Sequence, residues 1–422
     1  MVTPEEMALV RPRLEEFAGQ MLRRVLRRSD QLATGELYVR GLMLDGRRKS
    51  MDPMAERLGI DAQRLQQFLS DSTWDYEPVR ENLTRWALER IMPRAIVIDD
   101  VGFPKDGPDS PGVARMYSGT LGKTGNCQIG VSAHLVTDHA SSAVNWRLFI
   151  PESWDPDKID DPVQAETVRK RRDRCKIPLD VGHREKWRLA LAMLDQMCDE
   201  WGVGADLPVI FDSGYGDCTA FRLGLEDRTL PYVAAVSGSL SAYPENVVPD
   251  LPEYSGNGRR PVPRYREKPS NLRMLALAAG RVNLRRVTWR RGTKKTDENP
   301  GAKMRSRFMT LPVRLANKDI PRGADGSLPE RLLLVEWPPG EPEPTDYWIT
   351  NLPADTPLRD LARLAKIRWR IEHDYRELNT GLGLKHFEGR SFFGWHRHVT
   401  LAAVAQAFCT ELRLDPKALA SA

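Results

Sequence analysis

From about residue 5 to 92, apolar residues recur at spacings of three and four with almost no β-branched runs, so the stretch reads as amphipathic helices, broken at LDGRRKSMDP. Within it, KSMDPMAERLGIDAQRLQQFLSD predicts two short helices joined at Gly59. Met54, Leu58 and Ile60 then face Leu65 and Phe68, and Asp61 caps the second helix. At residue 94 the pattern changes. RAIVIDD is an unbroken apolar run ending in two acids, as in a strand buried on both faces. CQIGVSAHLVTD (127–138) and SAVNWRLFIP (142–151) follow at hairpin separation. A helix with Trp187, Leu191, Leu194, Cys198 and Trp201 on one stripe comes next. Then come the strand VIFD (209–212), a turn and helix in SGYGDCTAFRLGLE, and the strand PYVAAVS (231–237).

The order β-β-β-α-β-α-β, with acids ending the first and fourth strands, is what an RNase H-like α/β fold with a mixed sheet requires. Between about 240 and 350 the chain turns to proline-rich loops and β-prone pieces, RRVTWR, RFMTLPVRLA, RLLLVEW and DYWITNLP, which read as a β-rich insertion. Helical spacing returns in ADTPLRDLARLAKIRWRIEHDYREL, with Thr356 or Asp355 as cap and Pro357 at the first helical position. HRHVTLAAVAQAFCTELRL reads as a last core helix. The expected organisation is a helical N-terminal domain (1–92), the first part of the core (93–240), the insertion (241–352) and the core's C-terminal helices (353–422).

Composition narrows the class. No apolar run approaches the roughly 18 residues of a membrane span, and the start has no basic region followed by an apolar stretch. A reducing, cytoplasmic setting follows. Five cysteines without CxxC spacing support neither a disulfide framework nor a thiolate zinc site. The net charge of +5 is modest, but arginines cluster in RRVLRR (23–28), GRRK (46–49), RKRRDR (169–174) and RRVTWRRGTKK (285–295), as expected where a polyanion is touched at several places. Arg47, Arg48, Arg64 and Gln67 are the candidate DNA contacts of the N-terminal domain, the last two on a helix pair compatible with helix-turn-helix geometry. The histidines form no HExxH, and GLGLKHFEGRS lacks a phosphate-loop pattern, which argues against a zinc hydrolase and a nucleotide-binding loop.

Phosphoryl transfer on DNA calls for carboxylates converging from different elements to hold divalent ions. Asp99 or Asp100 and Asp212 stand at strand ends. On the wheel of the final acidic helix, Leu364, Ile367, Ile371, Tyr375 and Leu378 form the apolar seam. Glu372 borders that seam one turn after Arg368, Glu377 projects away, and Asp374 lies at the opposite border.

IDDVGFPKDGPDSPGVARMYSGTLGKTGNCQIGVSAHLV, LFIPESW, VIFDSGYGD and RWRIEHDYRELNTGLGLKHFEGRSFFGWHRHVTL resemble the DDE transposases of bacterial insertion sequences, in the branch with a β-rich insertion between the second Asp and the Glu. The resemblance runs to about residue 410. It implies an RNase H-like core, cut-and-paste transfer at terminal inverted repeats, two Mg²⁺ ions with Mn²⁺ as a substitute, and a homodimer pairing two ends of double-stranded DNA before target joining. It carries the catalytic, metal-holding triad onto Asp99, Asp212 and Glu372, and a phosphate-gripping Arg onto Arg368. Related branches also place a Tyr and a Lys where this chain has Ala365 and Asn379; Tyr375 and Lys385 lie near enough to substitute. An insertion aromatic that stacks on a flipped base maps best to Trp289, beside Arg290 and Arg291, whereas Trp337 and Trp348 read as hairpin core. Two alternatives share these features: a domesticated DNA-binding protein that no longer cuts, and an RNase H-like nuclease without strand transfer.

Overall fold

The computed structural model describes residues 4–119, 122–254, 256–258, 260–292, 296 and 299–415. Lys294 and Lys295 of the basic run, and the ends of the first and last expected domains, lie outside them. In chain order the elements are helices α1 (Pro4–Leu22), α2 (Ser29–Met43), α3 (Met51–Leu58), α4 (Ala62–Ser70) and α5 (Glu77–Arg90), then strands β1 (Ala95–Pro104), β2 (Ala114–Ser118), β3 (Lys123–Val136) and β4 (Ser141–Leu148). Helices α6 (Pro162–Arg174) and α7 (Lys186–Asp195) lead to β5 (Val209–Phe211), α8 (Ser213–Gly216), α9 (Thr219–Asp227) and β6 (Tyr232–Val236). There follow β7 (Ser241–Pro244), β8 (Ser270–Asn271), α10 (Leu272–Ala279), β9 (Arg285–Arg291), β10 (Lys303–Leu315), β11 (Glu330–Glu336) and β12 (Asp346–Thr350). Helices α11 (Leu358–Lys366), α12 (Trp369–Arg376) and α13 (Phe392–Leu414) complete the chain. The α/β order expected from the sequence is therefore present, with β2, α6, β7, β8 and α10 as additions.

The chain forms two compact units, one from the chain up to Gly204 together with the chain from Trp369 onward, the other from Ala205 to Arg368. In the first, the long strand β3 is central. It pairs antiparallel with β1 along one edge, and with β2 and β4 along successive halves of the other. Gly130 of β3 makes room for α13: a Cβ there would stand 2.9 Å from the Trp395 ring. Helices α1, α2, α4 and α5 pack around α13, which is buried almost all round. The HRH run on α13 is structural. Arg397 donates to Leu69 O and Trp74 O, His398 Nδ1 meets the Tyr38 hydroxyl at 2.8 Å, and His396 Nδ1 meets Arg80 at 3.0 Å. The glycine turn joins α3 to α4 as the sequence predicts, with Gly59 at φ 66° and the Asp61 side chain accepting from Gln63 N.

In the second unit the strands run β5-β6-β12-β11-β10-β7-β8, with β9 on the remaining part of β10. β5 and β6 are parallel and joined through α8 and α9, whereas β6 with β12, β12 with β11 and β11 with β10 pair antiparallel. Gly216 fixes the approach of α8 to β6, because a Cβ there would lie 1.8 Å from Ala235 O. Trp337 and Trp348 are buried, as expected for hairpin core.

Candidate active site and nucleic-acid interface

Side chains alternate across a strand, so Asp99 and Asp100 leave β1 on opposite faces. Asp100 meets the ammonium of Lys186 on α7. Asp99 stands opposite Ser132, on the face that Phe103 and Gly130 present to Trp395 of α13. The Ser132 hydroxyl lies 2.6 Å from that of Tyr375 on α12. Asp99 thus belongs to the face covered by the helix that carries Glu372, and Asp100 to the other.

The acidic helix is not continuous. Helix α11 ends at Lys366, Ile367 and Arg368 form a turn, and α12 begins at Trp369, so Glu372 lies in the first turn of a new helix. The expected single wheel spans this break. Pro357, not Thr356 or Asp355, occupies the cap position of α11. After Arg376 the helix widens into a π turn, Glu377–Gly381, that contains Asn379. The three acids of α12 and its exit have separate fates. Glu372 is exposed. Glu377, expected to project outward, pairs with Arg413 at 2.7 Å. Asp374 is fully buried, its oxygens 3.1 Å from His134 Nδ1 and 2.6 Å from Ser141 Oγ. Tyr375, an expected stand-in for a phosphate contact, is committed to Ser132.

Asp212 follows β5 and caps α8, its side chain accepting from Tyr215 N at 3.3 Å. Among the described residues no group of three or more His, Cys, Asp and Glu side chains is gathered as a metal cluster. The two unit-one candidates, Asp99 and Glu372, and Asp212 of the other unit are all carboxylates, the hard oxygen donors that suit Mg²⁺.

The predicted cationic contacts divide by environment. Arg47, Arg64 and Gln67 are exposed, with Arg64 Nε donating to Thr34 Oγ1. Arg48 pairs with Glu388 at 3.1 Å, both well exposed. Arg368 is half-buried in the turn between α11 and α12. Lys385 is half-buried, and burial lowers its ammonium to about 8. In the 169–174 run, Arg172 is buried and donates to Trp154 O, Pro178 O and Val181 O, which makes it structural.

Trp289, Arg290 and Arg291 lie on β9. The register passes from Thr288↔Arg305 to Arg290↔Met304, leaving Trp289 as the extra residue of a β-bulge. A bulge re-aims the side chain it carries, and Trp289 is half-buried, unlike Trp337 and Trp348. The sequence reading missed what lies across from it. Lys303, Arg305 and Arg307 alternate along β10 and are exposed, and Arg307 stands opposite Arg286 while Lys303 stands opposite Arg291. The signal was the period-two K-x-R-x-R in KMRSR. Like charges directly opposite destabilise a ribbon, and among the described residues no acid pairs with Arg286, Lys303, Arg305 or Arg307.

In this mixed α/β molecule Asp212 follows the end of β5 and Glu372 lies on the C-terminal helix α12, but Asp99, expected at a strand end, stands midway along β1. The family model described as "DDE superfamily endonuclease" matches residues 21–296, and the chain belongs to that family. The match takes in Asp99, Asp212 and Trp289 and stops before Glu372. A probable transposase for insertion sequence element IS701 from Microchaete diplosiphon is 35% identical over 97 residues, 22% of this chain and 26% of the relative. The chain thus matches about a quarter of that relative's length. Among solved structures, a piggyBac transposase synaptic complex with hairpin DNA aligns over 93% of this chain and 67% of its own, with a TM-score of 0.40 and 10% identity.

Proposed function

We propose that the protein is a DNA transposase that binds the terminal inverted repeats of its element and cuts and joins DNA using Asp99, Asp212 and Glu372. The observation that carries this reading is the sorting of acids. Asp99 is on the β1 face covered by the Glu372 helix, whereas Asp100 is neutralised by Lys186 and Asp374 is spent inside the protein.

Two divalent ions, when bound, supply activation of the attacking oxygen and stabilisation of the leaving oxygen. Asp99, Asp212 and Glu372 would hold them. Arg368 and Lys385 supply cations for the phosphates flanking the cut, and Trp289 supplies a ring on which an unpaired base stacks, an interaction worth about 1–3 kcal/mol. Water attacks the phosphodiester and the 3′-oxygen leaves with a proton. The freed 3′-hydroxyl then attacks a second phosphodiester in line, exchanging one P–O bond for another. Arg47, Arg48, Arg64 and Gln67 of the helical segment and Arg290 and Arg291 of β9 grip the element's ends, and pairing two ends makes a homodimer the natural working form.

The test is cleavage and joining of a duplex that ends in the inverted repeat flanking the coding region. Asp212→Asn abolishes cutting and leaves binding within about twofold of wild type, since binding is set mostly by phosphate contacts elsewhere. Full cutting by that variant overturns the assignment. Binding without cutting by the wild-type protein identifies a domesticated DNA-binding protein, and cutting without joined products identifies a plain nuclease.

A further inference from the structure

A closed ring of polar side chains is buried under the Glu372 helix. The Tyr375 hydroxyl lies 2.6 Å from Ser132 Oγ, which is 3.1 Å from His134 Nε2. His134 Nδ1 is 3.1 Å from Asp374 Oδ2, and Asp374 Oδ1 accepts from Ser141 Oγ at 2.6 Å. Ser141 Oγ in turn accepts from Arg370 Nε at 2.9 Å. Gln406 of α13 donates to Ser141 O at 3.1 Å, and Thr410 donates to it at 3.2 Å. Ser132, His134, Ser141, Asp374, Gln406 and Thr410 are all 0% exposed.

The donors and acceptors can be assigned so that two arms, one from Tyr375 and one from Arg370, converge on the Asp374 carboxylate. Tyr375 donates to Ser132, Ser132 to His134 Nε2, His134 Nδ1–H to Asp374, and Ser141 to the other oxygen of Asp374. The ring starts and ends on α12, which contributes Arg370, Asp374 and Tyr375, and passes through β3 and β4. Burying a carboxylate costs several kcal/mol unless its hydrogen bonds are complete. An apolar residue at 374 would pack against the sheet at lower cost. What an apolar seam cannot supply is a unique register, because a helix sliding on Leu and Val meets no steep barrier, whereas a shift of one residue would orphan a buried carboxylate.

We infer that Asp374, His134, Ser132 and Tyr375 are positioning residues that fix α12 on β3 and so hold Glu372 in register with Asp99, the residue opposite Ser132. The inference rests on the reading of Asp99 and Glu372 as ion-holding acids. Outer hydrogen bonds of this kind are worth about 10–100-fold in metal affinity or activity.

The experiment compares the full-length wild type with Tyr375→Phe, Asp374→Asn, Asp99→Asn and Leu333→Ala. Leu333→Ala removes buried side-chain volume from β11, in the other unit, and serves as the control for lost stability. Calorimetric Mn²⁺ titration, thermal melting and cleavage of the terminal-repeat duplex across Mn²⁺ concentrations are read together. The expected result is that Tyr375→Phe and Asp374→Asn weaken Mn²⁺ binding and raise the half-maximal Mn²⁺ for cleavage about tenfold, with the rate recovering at saturating Mn²⁺. Leu333→Ala lowers the melting temperature and leaves the Mn²⁺ response unchanged. Should Asp374→Asn fail to fold, Tyr375→Phe, which removes one hydroxyl, carries the result. A folded Tyr375→Phe with the wild-type Mn²⁺ response overturns the inference while leaving the nuclease reading intact. Wild type and Asp99→Asn binding Mn²⁺ equally overturns the ion-holding reading itself, and the inference with it.

Discussion

At the scale of single residues, the sequence left two choices among neighbouring acids, and both depend on information that a linear pattern does not hold. RAIVIDD is apolar on both faces, so no alternation says which Asp faces which layer; Lys186, eighty-six residues away, separates Asp100 from Asp99. Asp374 bordered the seam on the wheel, but only His134 and Ser141 reveal that it is an internal carboxylate. Lysines partly or wholly withdrawn from solvent give a prediction of the same scale. Burial lowers Lys49, Lys105 and Lys385 to about 8, while an unfolded chain keeps them protonated to about 10.4. Between those values the unfolded state binds more protons, so stability rises with pH across that window. Thermal melts from pH 7.5 to 9.5 check it: the wild type gains stability relative to Lys105→Met and Lys385→Met as pH rises. A constant difference would mean that these ammonium groups are solvated. Gly216→Ala tests the close approach to Ala235 O; it costs on the order of 3 kcal/mol in chemical denaturation.

Elements were legible where one period dominates. The strands around 96, 131, 145, 210 and 234 and the glycine-turned pair α3 and α4 follow from apolar runs and spacing alone. β2 was missed because ARMYS carries little apolar signal, its exposure alternating weakly. Helix α10 was missed because LRMLALAA sits among proline-rich turns that favoured a β reading. The break between α11 and α12 has no glycine or proline to announce it. The β9–β10 ribbon was half read: Arg290, Arg291 and Trp289 were seen, but their cross-strand partners need the register. Cross-strand cations without acids are suited to binding a polyanion, so Arg286→Gln, Arg305→Gln and Arg307→Gln together should weaken terminal-repeat binding and flatten its salt dependence. Each phosphate deprived of its cation lowers the slope of log affinity against log salt by about 0.9. Binding titrations at several salt concentrations measure this, and an unchanged slope would remove the ribbon from the interface. The same variant should melt no lower than wild type, because it relieves like-charge opposition.

For the whole molecule, composition pointed correctly to clustered charge in a modestly basic chain, whereas the assignment of acids to a common chemistry came from the family's motifs. Asp99 and Glu372 lie in segments separated along the chain by the whole of the second unit, and Asp212 lies in that unit, so no local pattern links the three. This dispersal makes a kinetic prediction. If each acid served an independent step, combining two substitutions would multiply their losses. If the three act as a set, removing one already forfeits what the set provides, and further removals cost little, the non-additivity expected of residues that work as a unit. Asp99→Asn, Asp212→Asn and Glu372→Gln should each reduce cleavage of the terminal-repeat duplex to about the same floor. The pairwise combinations should fall within about threefold of the singles, an interaction of nearly the full single-variant effect. Asp100→Asn, which touches the opposite face, should retain cutting. Multiplicative loss in Asp99→Asn with Glu372→Gln would show that the two acids of one unit serve separate steps, and loss of cutting in Asp100→Asn would return the first acid to its neighbour.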